Sequence, residues 1–297
     1  MKRSDLRWLV TGAAGQLGHH VSDQLRASGA DVVAVTATGL DITDRAAVDE
    51  TIAAYRPDVV LNAAAYTAVD AAETDEQPAD TVNQHGPRLL AEAVRRCGGR
   101  LLHVSTDYVF DGTASRPYEI DDPIGPQGAY GQTKLVGERA VLGVLPDRAH
   151  VVRTAWVYGG PGPGFVDTML RLERERETLD VVADQIGSPT WVADLAAALI
   201  ELGASAVPAG VLHYVNGGQA SWFDLARGVF RLVGAEPSRI RPVDTAAFPR
   251  PARRPAWSAL STRAWVAAGL RAPRRWQDAL AAALEGAPSR AMSGAVR

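Results

Sequence analysis

Short apolar runs rich in β-branched residues alternate with segments of helical periodicity through the first half of the chain. The apolar runs lie at 8–10, 31–36, 58–62, 100–105 and 150–154. Helical segments lie between them at 17–28, 44–55, 78–97 and 128–143. Continuous apolar strands that alternate with helices are typical of a parallel sheet covered by helices on both faces. The pattern therefore predicts an α/β protein with a doubly wound parallel sheet.

The pattern loosens after residue 155, where a stretch rich in glycine and proline occupies 159–164. Helices are then expected at 165–177, at 192–202 and from an N-cap at Ser221, with a strand near 211–214. The charged run from Glu173 to Glu177 is expected to form a solvated face. These elements predict a smaller C-terminal lobe beside the sheet.

Composition excludes several classes of protein. The net charge of −3 gives no general attraction to nucleic acid or to an acidic membrane surface. No stretch approaches the roughly 20 apolar residues that a membrane-spanning helix needs. The single cysteine, Cys97, excludes an internal disulfide framework and fits a reducing compartment. We therefore expect a cytoplasmic protein without a nucleic-acid or membrane partner.

A glycine-rich turn directly follows the first apolar run and directly precedes the first helical segment. It reads Gly12-Ala-Ala-Gly15-Gln-Leu-Gly18. Such a turn lets backbone amides approach a pyrophosphate, and the helix that follows offers its free N–H groups to the phosphates. Glycines here also serve ordinary packing between helix and strand. In this strand–turn–helix context, Gly12, Gly15, Gln16, Leu17 and Gly18 predict a dinucleotide site of Rossmann type.

The end of the second apolar run bears on the choice of dinucleotide. It reads Val35-Thr-Ala-Thr38, with neither the acid that often binds the ribose hydroxyls of NAD nor an arginine. Because an uncharged end tolerates a 2′-phosphate, NADPH is expected by a small margin, with NADH also accepted. Asp41 and Ile42 could flank the adenine, although Asp41 could equally be a helix N-cap.

A tyrosine and a lysine lie one helical turn apart in Tyr130-Gly-Gln-Thr-Lys134, so they share one face of a helix. Reduction of a ketone needs a proton donor, and a nearby ammonium is expected to lower the pKa of a phenol toward the working range. Thr106 ends the fourth apolar run, where ligands bind in doubly wound sheets, and could orient a substrate oxygen toward Tyr130. Thr106 could instead merely cap the strand. The turn, Thr106 and the Tyr130/Lys134 pair together indicate a ketoreductase.

These elements suggest a division of the chain. We expect residues 1–155 to form the dinucleotide-binding domain, to which 181–214 return. Residues 156–180 and 215–285 are assigned to a substrate-binding lobe. The last residues, 286–297, lack periodicity and are expected to be a disordered tail.

Two long motifs carry a family resemblance, Ser105-Thr-Asp-Tyr-Val-Phe-Asp-Gly112 and Asp184-Gln-Ile-Gly-Ser-Pro-Thr190. With the glycine turn, the Tyr130 motif and Pro251-Ala-Arg-Arg-Pro255, they make the chain resemble the dTDP-4-dehydrorhamnose reductases, which are extended short-chain dehydrogenases. The matching segments run nearly end to end.

The resemblance implies roles for residues along the chain. Gly15, Gln16 and Leu17 would lie along the cofactor pyrophosphate, Asp41 and Ile42 near the adenine, and Ala65, Tyr66 and Thr67 on the path to the nicotinamide. Thr106, Asp107 and Tyr130 would contact the sugar, and Trp156 would form a wall of its pocket. Tyr130 would donate the proton, assisted by Lys134.

The chain also departs from the family pattern. The acids that some members use to bind magnesium at a dimer contact cannot be placed, and His19-His20 follows the glycine turn where an acid is expected. We therefore predict no required metal, and the resemblance leaves a homodimer open.

The segment from Phe248 to Trp276 contains seven arginines and no acid. It could simply provide surface solubility. Alternatively Arg253 or, as we prefer, Arg254 meets the substrate diphosphate, because a guanidinium matches phosphate oxygens.

The leading hypothesis is NAD(P)H-dependent reduction of the 4-keto group of dTDP-4-dehydro-L-rhamnose to dTDP-L-rhamnose. One alternative is a 4-ketoreductase for another dTDP-deoxysugar, as in natural-product glycosylation. Another is an NAD(P)-binding regulatory protein that has lost catalysis. A dehydratase is disfavoured because Thr106-Asp107 is followed by Tyr108, where dehydratases commonly carry a glutamate.

Overall fold

Strands and helices alternate along the computed structural model, which describes residues 5–285. The strands are β1 (Arg7–Thr11), β2 (Asp31–Val35), β3 (Val59–Asn62), β4 (Arg100–Thr106), β5 (Ala149–Thr154), β6 (Val157–Tyr158), β7 (Leu179–Val182), β8 (Ile186–Gly187), β9 (Thr190–Trp191), β10 (Gly210–His213), β11 (Ala220–Ser221) and β12 (Ile240–Val243). The α-helices are α1 (Gln16–Ala27), α2 (Arg45–Tyr55), α3 (Val69–Ala72), α4 (Glu76–Asp80), α5 (Gly86–Cys97), α6 (Ala129–Val144), α7 (Phe165–Glu175), α8 (Val192–Gly203), α9 (Trp222–Leu232), α10 (Arg263–Ala267) and α11 (Trp276–Leu284). The disordered tail expected at 286–297 lies outside the described residues.

The central sheet contains six parallel strands in the order β2-β1-β3-β4-β5-β10. The strand order reverses between β1 and β3, since β2 lies on one side of β1 and all later strands on the other. In doubly wound sheets, ligands bind outside the carboxyl ends of the strands at such a reversal. The predicted α/β class with a doubly wound parallel sheet is confirmed.

Two apolar cores lie on the two faces of this sheet. In β1 the side chains of Trp8 and Val10 join the core on one face, beneath α1 and α8, while Leu9 joins the core on the other, beneath α2 and α5. All three side chains have no exposed area. Because successive side chains of a strand point to opposite faces, a sheet covered on both sides requires an uninterrupted apolar run.

The predicted helix at 78–97 is interrupted. It consists of α4, one π-helical turn at Thr81–His85, and α5. Pro87 lies in the first turn of α5. Since proline has no N–H, it cannot donate to the carbonyl four residues earlier, and a regular α-helix cannot run through this point. The π-helical turn places Asn83 in the interior, where it is 1% exposed.

Smaller strand pairs build the region beside the central sheet. β7 pairs with β12, β8 with β11, and β6 with β9, and the apolar faces of α7, α9 and α11 share one core. Between β9 and β11 the chain returns to the central sheet through α8 and β10. The lobe boundaries drawn from the sequence remain a prediction.

The expected solvated face at Glu173–Glu177 is wrong for Glu173, which is 4% exposed. Arg239 donates to its carboxylate at 2.9 Å and also reaches the backbone carbonyl of Glu177. The arginine comes from a segment 66 residues further on, so local periodicity could not show this pair.

No helix within residues 5–285 is long and apolar enough to cross a membrane.

A buried ion pair joins α6 to β5. The Arg153 guanidinium donates to both carboxylate oxygens of Glu138, at 3.0 and 2.8 Å. The two side chains are 4% and 3% exposed. We expect Glu138→Ala to lower the free energy of unfolding by about 3–5 kcal/mol, because it leaves Arg153 charged and buried without its partner.

Urea denaturation measures this loss. The matched control is Glu175→Ala, which removes an exposed pair with Arg171 and is expected to cost about 0–1 kcal/mol. Equal small losses in both variants would show that the buried pair does not stabilise the fold.

Candidate active site

A cleft of about 450 Å³ opens at the carboxyl ends of the central strands. It is lined by the glycine turn after β1, the loop after β3, the end of β4, one face of α6 and the segment after β5. The lining residues are Gly15, Gln16, Leu17, Ala63, Ala65, Thr67, Val69, Val104, Ser105, Thr106, Asp107, Tyr108, Tyr130, Lys134, Thr154, Ala155, Trp156 and Val157.

The glycine turn has the geometry of a phosphate cradle. Gly12 has φ +71°, and a Cβ on it would lie 2.6 Å from the backbone nitrogen of Ala64, so no other residue fits without a shift. Gly15 is the N-cap residue of α1. Its backbone is extended, and no side-chain hydrogen bond caps the helix there. The first N–H groups of α1 therefore face the cleft with the positive end of the helix dipole. This arrangement fits a dinucleotide pyrophosphate.

The loop after β3 is fixed by a residue that sequence reasoning missed. The side chain of Asn83 accepts the N–H of Tyr66 at 2.9 Å and donates to its carbonyl at 3.1 Å. It also donates to the Thr133 hydroxyl on α6 at 3.1 Å. Asn83 thereby ties the loop at 65–67 to the helix of Tyr130. Asn83 is one of several polar residues in the segment 78–97, and nothing in its spacing distinguishes it or indicates a partner.

Thr106 and Asp107 end β4 inside the cleft. The Thr106 hydroxyl accepts the N–H of Tyr108 and donates to the Asp107 carboxylate, both at 3.1 Å. Asp107 is 3% exposed. Burial raises the pKa of Asp107 to about 6, although hydrogen bonds from Ser258 and Thr106 oppose the shift. Thr106 thus bonds in the manner of a strand cap while it also lines the cleft.

Helix α6 presents Tyr130 and Lys134 to the cleft. The helix begins beside Glu73, whose carboxylate accepts the N–H of Ala129 at 2.8 Å. Lys134, 2% exposed, donates from Nζ to the carbonyl of Val104 on β4 at 2.7 Å. Burial lowers the pKa of Lys134 to about 8, partly offset by Glu138.

The expected lowering of the phenol pKa is wrong. Burial, and after it the nearby carboxylate of Asp107, raise the pKa of Tyr130 to about 12, although a hydrogen bond with Thr106 opposes the shift. The ammonium of Lys134 donates to the Val104 carbonyl, and burial of the phenol is the largest cause of its raised pKa. Tyr130 is therefore protonated at neutral pH, which is the form that can donate a proton.

Trp156 forms the wall of the cleft after β5. It has φ +45°, a left-handed conformation that is uncommon for a bulky residue. Its indole stacks on that of Trp222, with ring centroids 3.5 Å apart and planes inclined by 6°.

Several residues expected in the site do not line this cleft. Gly12, Gly18 and Tyr66 are not among the residues that line it. The side chain of Ile42 is buried in the core beneath α2 and α5. The carboxylate of Asp41 is exposed and accepts the N–H of Thr43 at 2.8 Å. The N-cap of α2 is Asp44, so the N-cap alternative for Asp41 is wrong.

Arg254 lines a neighbouring cleft of about 240 Å³, which shares Tyr108 with the first. Its guanidinium donates to the carboxylate of Asp70 at 2.9 Å and to the carbonyl of Ala252 at 3.0 Å. Arg253, in the same cleft, reaches the amide oxygen of Gln127. Arg254, which the sequence analysis assigned to the substrate diphosphate, thus has an acidic partner within the protein. It lines the second cleft and not the first.

Two other arginines of the segment 248–276 also pair with acids from elsewhere in the chain. Arg263 pairs with Glu119, and Arg274 makes a two-pronged pair with Asp194 on α8. Surface solubility alone therefore does not explain the arginines of the segment 248–276, since some of them form ion pairs within the protein.

Comparisons with known proteins agree with this geometry. The family model described as the RmlD substrate binding domain matches residues 6–288. A dTDP-4-dehydrorhamnose reductase of Streptomyces griseus is 52% identical over 92% of this chain and 91% of its own length. A dTDP-4-keto-6-deoxy-D-glucose reductase of Streptomyces niveus is 49% identical over 92% of this chain and 95% of its own. The crystal structure of dTDP-4-dehydrorhamnose reductase from Bacillus anthracis in complex with NADP superposes with a TM-score of 0.90, at 35% identity, covering 95% of this chain and 99% of that one.

The fold and the cleft define a Rossmann-type oxidoreductase of the extended short-chain dehydrogenase class. Within that class, the chain belongs to the dTDP-4-dehydrorhamnose reductase family. The resemblance inferred from the motifs is confirmed.

Proposed function

We propose that the chain reduces the 4-keto group of dTDP-4-dehydro-L-rhamnose to give dTDP-L-rhamnose, with NADPH as the preferred reductant. The observation that carries the proposal is the meeting of three parts in one cleft. The free N–H end of α1 lies at Gly15–Leu17, and the Thr106 hydroxyl and the protonated Tyr130 phenol line the same space. The family membership and the NADP in the Bacillus anthracis structure support the same reading.

The residues of the cleft fit a nicotinamide dinucleotide. When bound, it supplies a hydride to the carbonyl carbon of the sugar. We assign its contacts to Gly12, Gly15, Gln16, Leu17, Gly18, Asp41, Ile42, Ala65, Tyr66, Thr67, Tyr130 and Lys134. The α1 terminus would hold the pyrophosphate, and the uncharged Thr36 and Thr38 leave room for a 2′-phosphate.

The side chains of the cleft complete the reduction at the carbonyl oxygen. Tyr130 donates its phenolic proton to that oxygen as charge develops, so that the ketone becomes a secondary alcohol and the phenol becomes a phenolate. Thr106 orients the oxygen by a hydrogen bond, and the Lys134 cation stabilises the phenolate. Asp107 and Trp156 bind the sugar.

A second candidate is a 4-ketoreductase for a different dTDP-deoxysugar. The observation in its favour is the Streptomyces niveus relative, which is named for a different keto sugar at nearly the same identity. Both candidates use the same cleft, and they differ in how the sugar ring is oriented in it.

The purified protein is expected to oxidise NADPH when dTDP-4-dehydrorhamnose is added, with a higher kcat/KM than for NADH. NMR of the product assigns the configuration at C4. Tyr130→Phe should lower kcat by about 10²- to 10⁴-fold, the usual contribution of a general acid, while the Kd for NADPH stays unchanged. A fully active variant would favour another acid, and a wild-type protein that binds NADPH without turnover would favour the regulatory alternative.

The activity should depend on pH through Lys134. Because the pKa of Lys134 is lowered to about 8, its ammonium is charged below that pH and is lost as the pH rises through it. We expect kcat/KM to fall above pH 8 in a pH–rate profile. In Lys134→Arg the guanidinium keeps its charge, so this decline should disappear even if the rate is lower. A wild-type profile that is flat well above pH 8 contradicts the assignment.

We also propose that Arg254 meets the substrate diphosphate, because it lines the second cleft, which adjoins the first at Tyr108. Arg254→Ala is expected to raise the KM for the nucleotide sugar about ten- to a hundredfold, as for a lost hydrogen bond to a charged group. The KM for NADPH should not change. Asp70→Asn is the matched control, since it removes the acidic partner and keeps the guanidinium. Equal effects in the two variants would mean that Arg254 acts only by holding Asp70.

A further inference from the structure

Trp156 lies in the cleft in a backbone conformation that it would not adopt by itself. Its φ of +45° falls in the left-handed region, where a bulky side chain is strained. Such a residue persists only where its surroundings hold it, and strained residues of this kind cluster at ligand sites. The contacts of the indole therefore identify what holds it.

Two residues of the smaller region pack against the indole. Trp222 stacks on it at a centroid distance of 3.5 Å. Gly187 lies so close that a Cβ on it would be 2.4 Å from Cε2 of Trp156. Both come from one unit, because β8 pairs with β11 through Gly187 and Ala220, and α9 begins directly after β11 at Trp222.

Trp222 is itself held firmly. It lies between Ser221 and Asp224, which form the capping box at the start of α9. Its Nε1–H donates to Oε1 of Gln185 at 3.1 Å, and the side-chain amide of Gln185 donates to Thr245 at 3.0 Å. The plane of the Trp222 ring is thus set by the strands and helix caps beside the cleft, and stacking transfers that orientation to Trp156.

We propose that Trp222 is a positioning residue that sets the orientation of the Trp156 wall and so determines how the sugar ring is bound. The step from ring orientation to sugar binding rests on the function proposed above. A pyranose presents C–H groups that pack on an aromatic face. The tilt of the Trp156 indole therefore sets the orientation of the sugar ring, and with it the orientation of the carbonyl toward Tyr130. Trp222 does not line the cleft, and its effect is exerted through Trp156.

Fluorine NMR tests the positioning without any substrate. In protein labelled with 5-fluorotryptophan, the Trp156 resonance is assigned by its disappearance in Trp156→Phe. We expect this resonance to move toward the position of free 5-fluorotryptophan in Trp222→Ala and to stay dispersed in Trp222→Phe, which keeps an aromatic ring for stacking. An unchanged resonance in Trp222→Ala overturns the proposal.

Kinetics test the consequence for the sugar. We expect Trp222→Ala to raise the KM for dTDP-4-dehydrorhamnose about tenfold, which corresponds to about 1.4 kcal/mol, with the KM for NADPH unchanged. Trp222→Phe should recover most of the loss. The matched control is Phe223→Ala, the next residue of α9, whose ring contacts Arg227 and not Trp156; it should change neither constant.

The two measurements separate the possible failures. A displaced Trp156 resonance with an unchanged sugar KM overturns the role in sugar binding, and equal rises in both KM values indicate general loosening and overturn it as well. If Trp222→Ala does not fold, Trp222→Leu takes its place with the same expected results. A wild-type protein that reduces no dTDP-sugar overturns the proposed function, while the NMR still decides whether Trp222 holds Trp156.

Discussion

Burial of two charged side chains on one face of α6 is the constraint on which the site depends. Lys134 and Glu138 lie one turn apart, each about 2% exposed, and each has a specific partner on the sheet. Lys134 donates to the Val104 carbonyl of β4, and Glu138 accepts two hydrogen bonds from Arg153 of β5. Since a buried charge without a partner is costly, these bonds admit only one rotation and one height of the helix on the sheet. Tyr130, one turn before Lys134, is carried into the cleft by the same geometry.

Burial shifts the pKa values of the residues in the cleft and so gives each of them a different protonation state and role. Desolvation acts on all of them but in opposite directions, because it disfavours whichever form is charged. The phenol of Tyr130 is kept protonated, and the pKa of the Lys134 ammonium is lowered toward physiological pH while the group stays largely charged there. A donor that holds its proton until a stronger base develops beside it is suited to a reaction that creates an alkoxide.

The sequence predicted the sheet and most of the cleft for a physical reason. The carboxyl ends of parallel strands meet at one edge, so residues at the ends of different apolar runs, such as Gly15 and Thr106, had to come together there, whereas Trp156 was placed in the site by the family resemblance. What it missed depends on contacts between distant segments. Asn83 bonds to Tyr66 across a π-helical turn, and Glu173 is buried by Arg239. Neither partner has a spacing that marks it, and the degree of burial that raises the pKa of Tyr130 cannot be judged before the packing is known.

The arginine-rich segment 248–276 limits how readily this part of the chain can be exchanged between related proteins. Its ion pairs are made with Asp70 after β3, Glu119 in the loop before α6, and Asp194 on α8. The basic members lie in the single segment 254–274, whereas the acidic members are spread over the rest of the chain. A chimaera that receives this segment from another protein therefore also brings arginines that pair with carboxylates at three separate places, and grafts should be more stable between parents whose acids occupy matching positions.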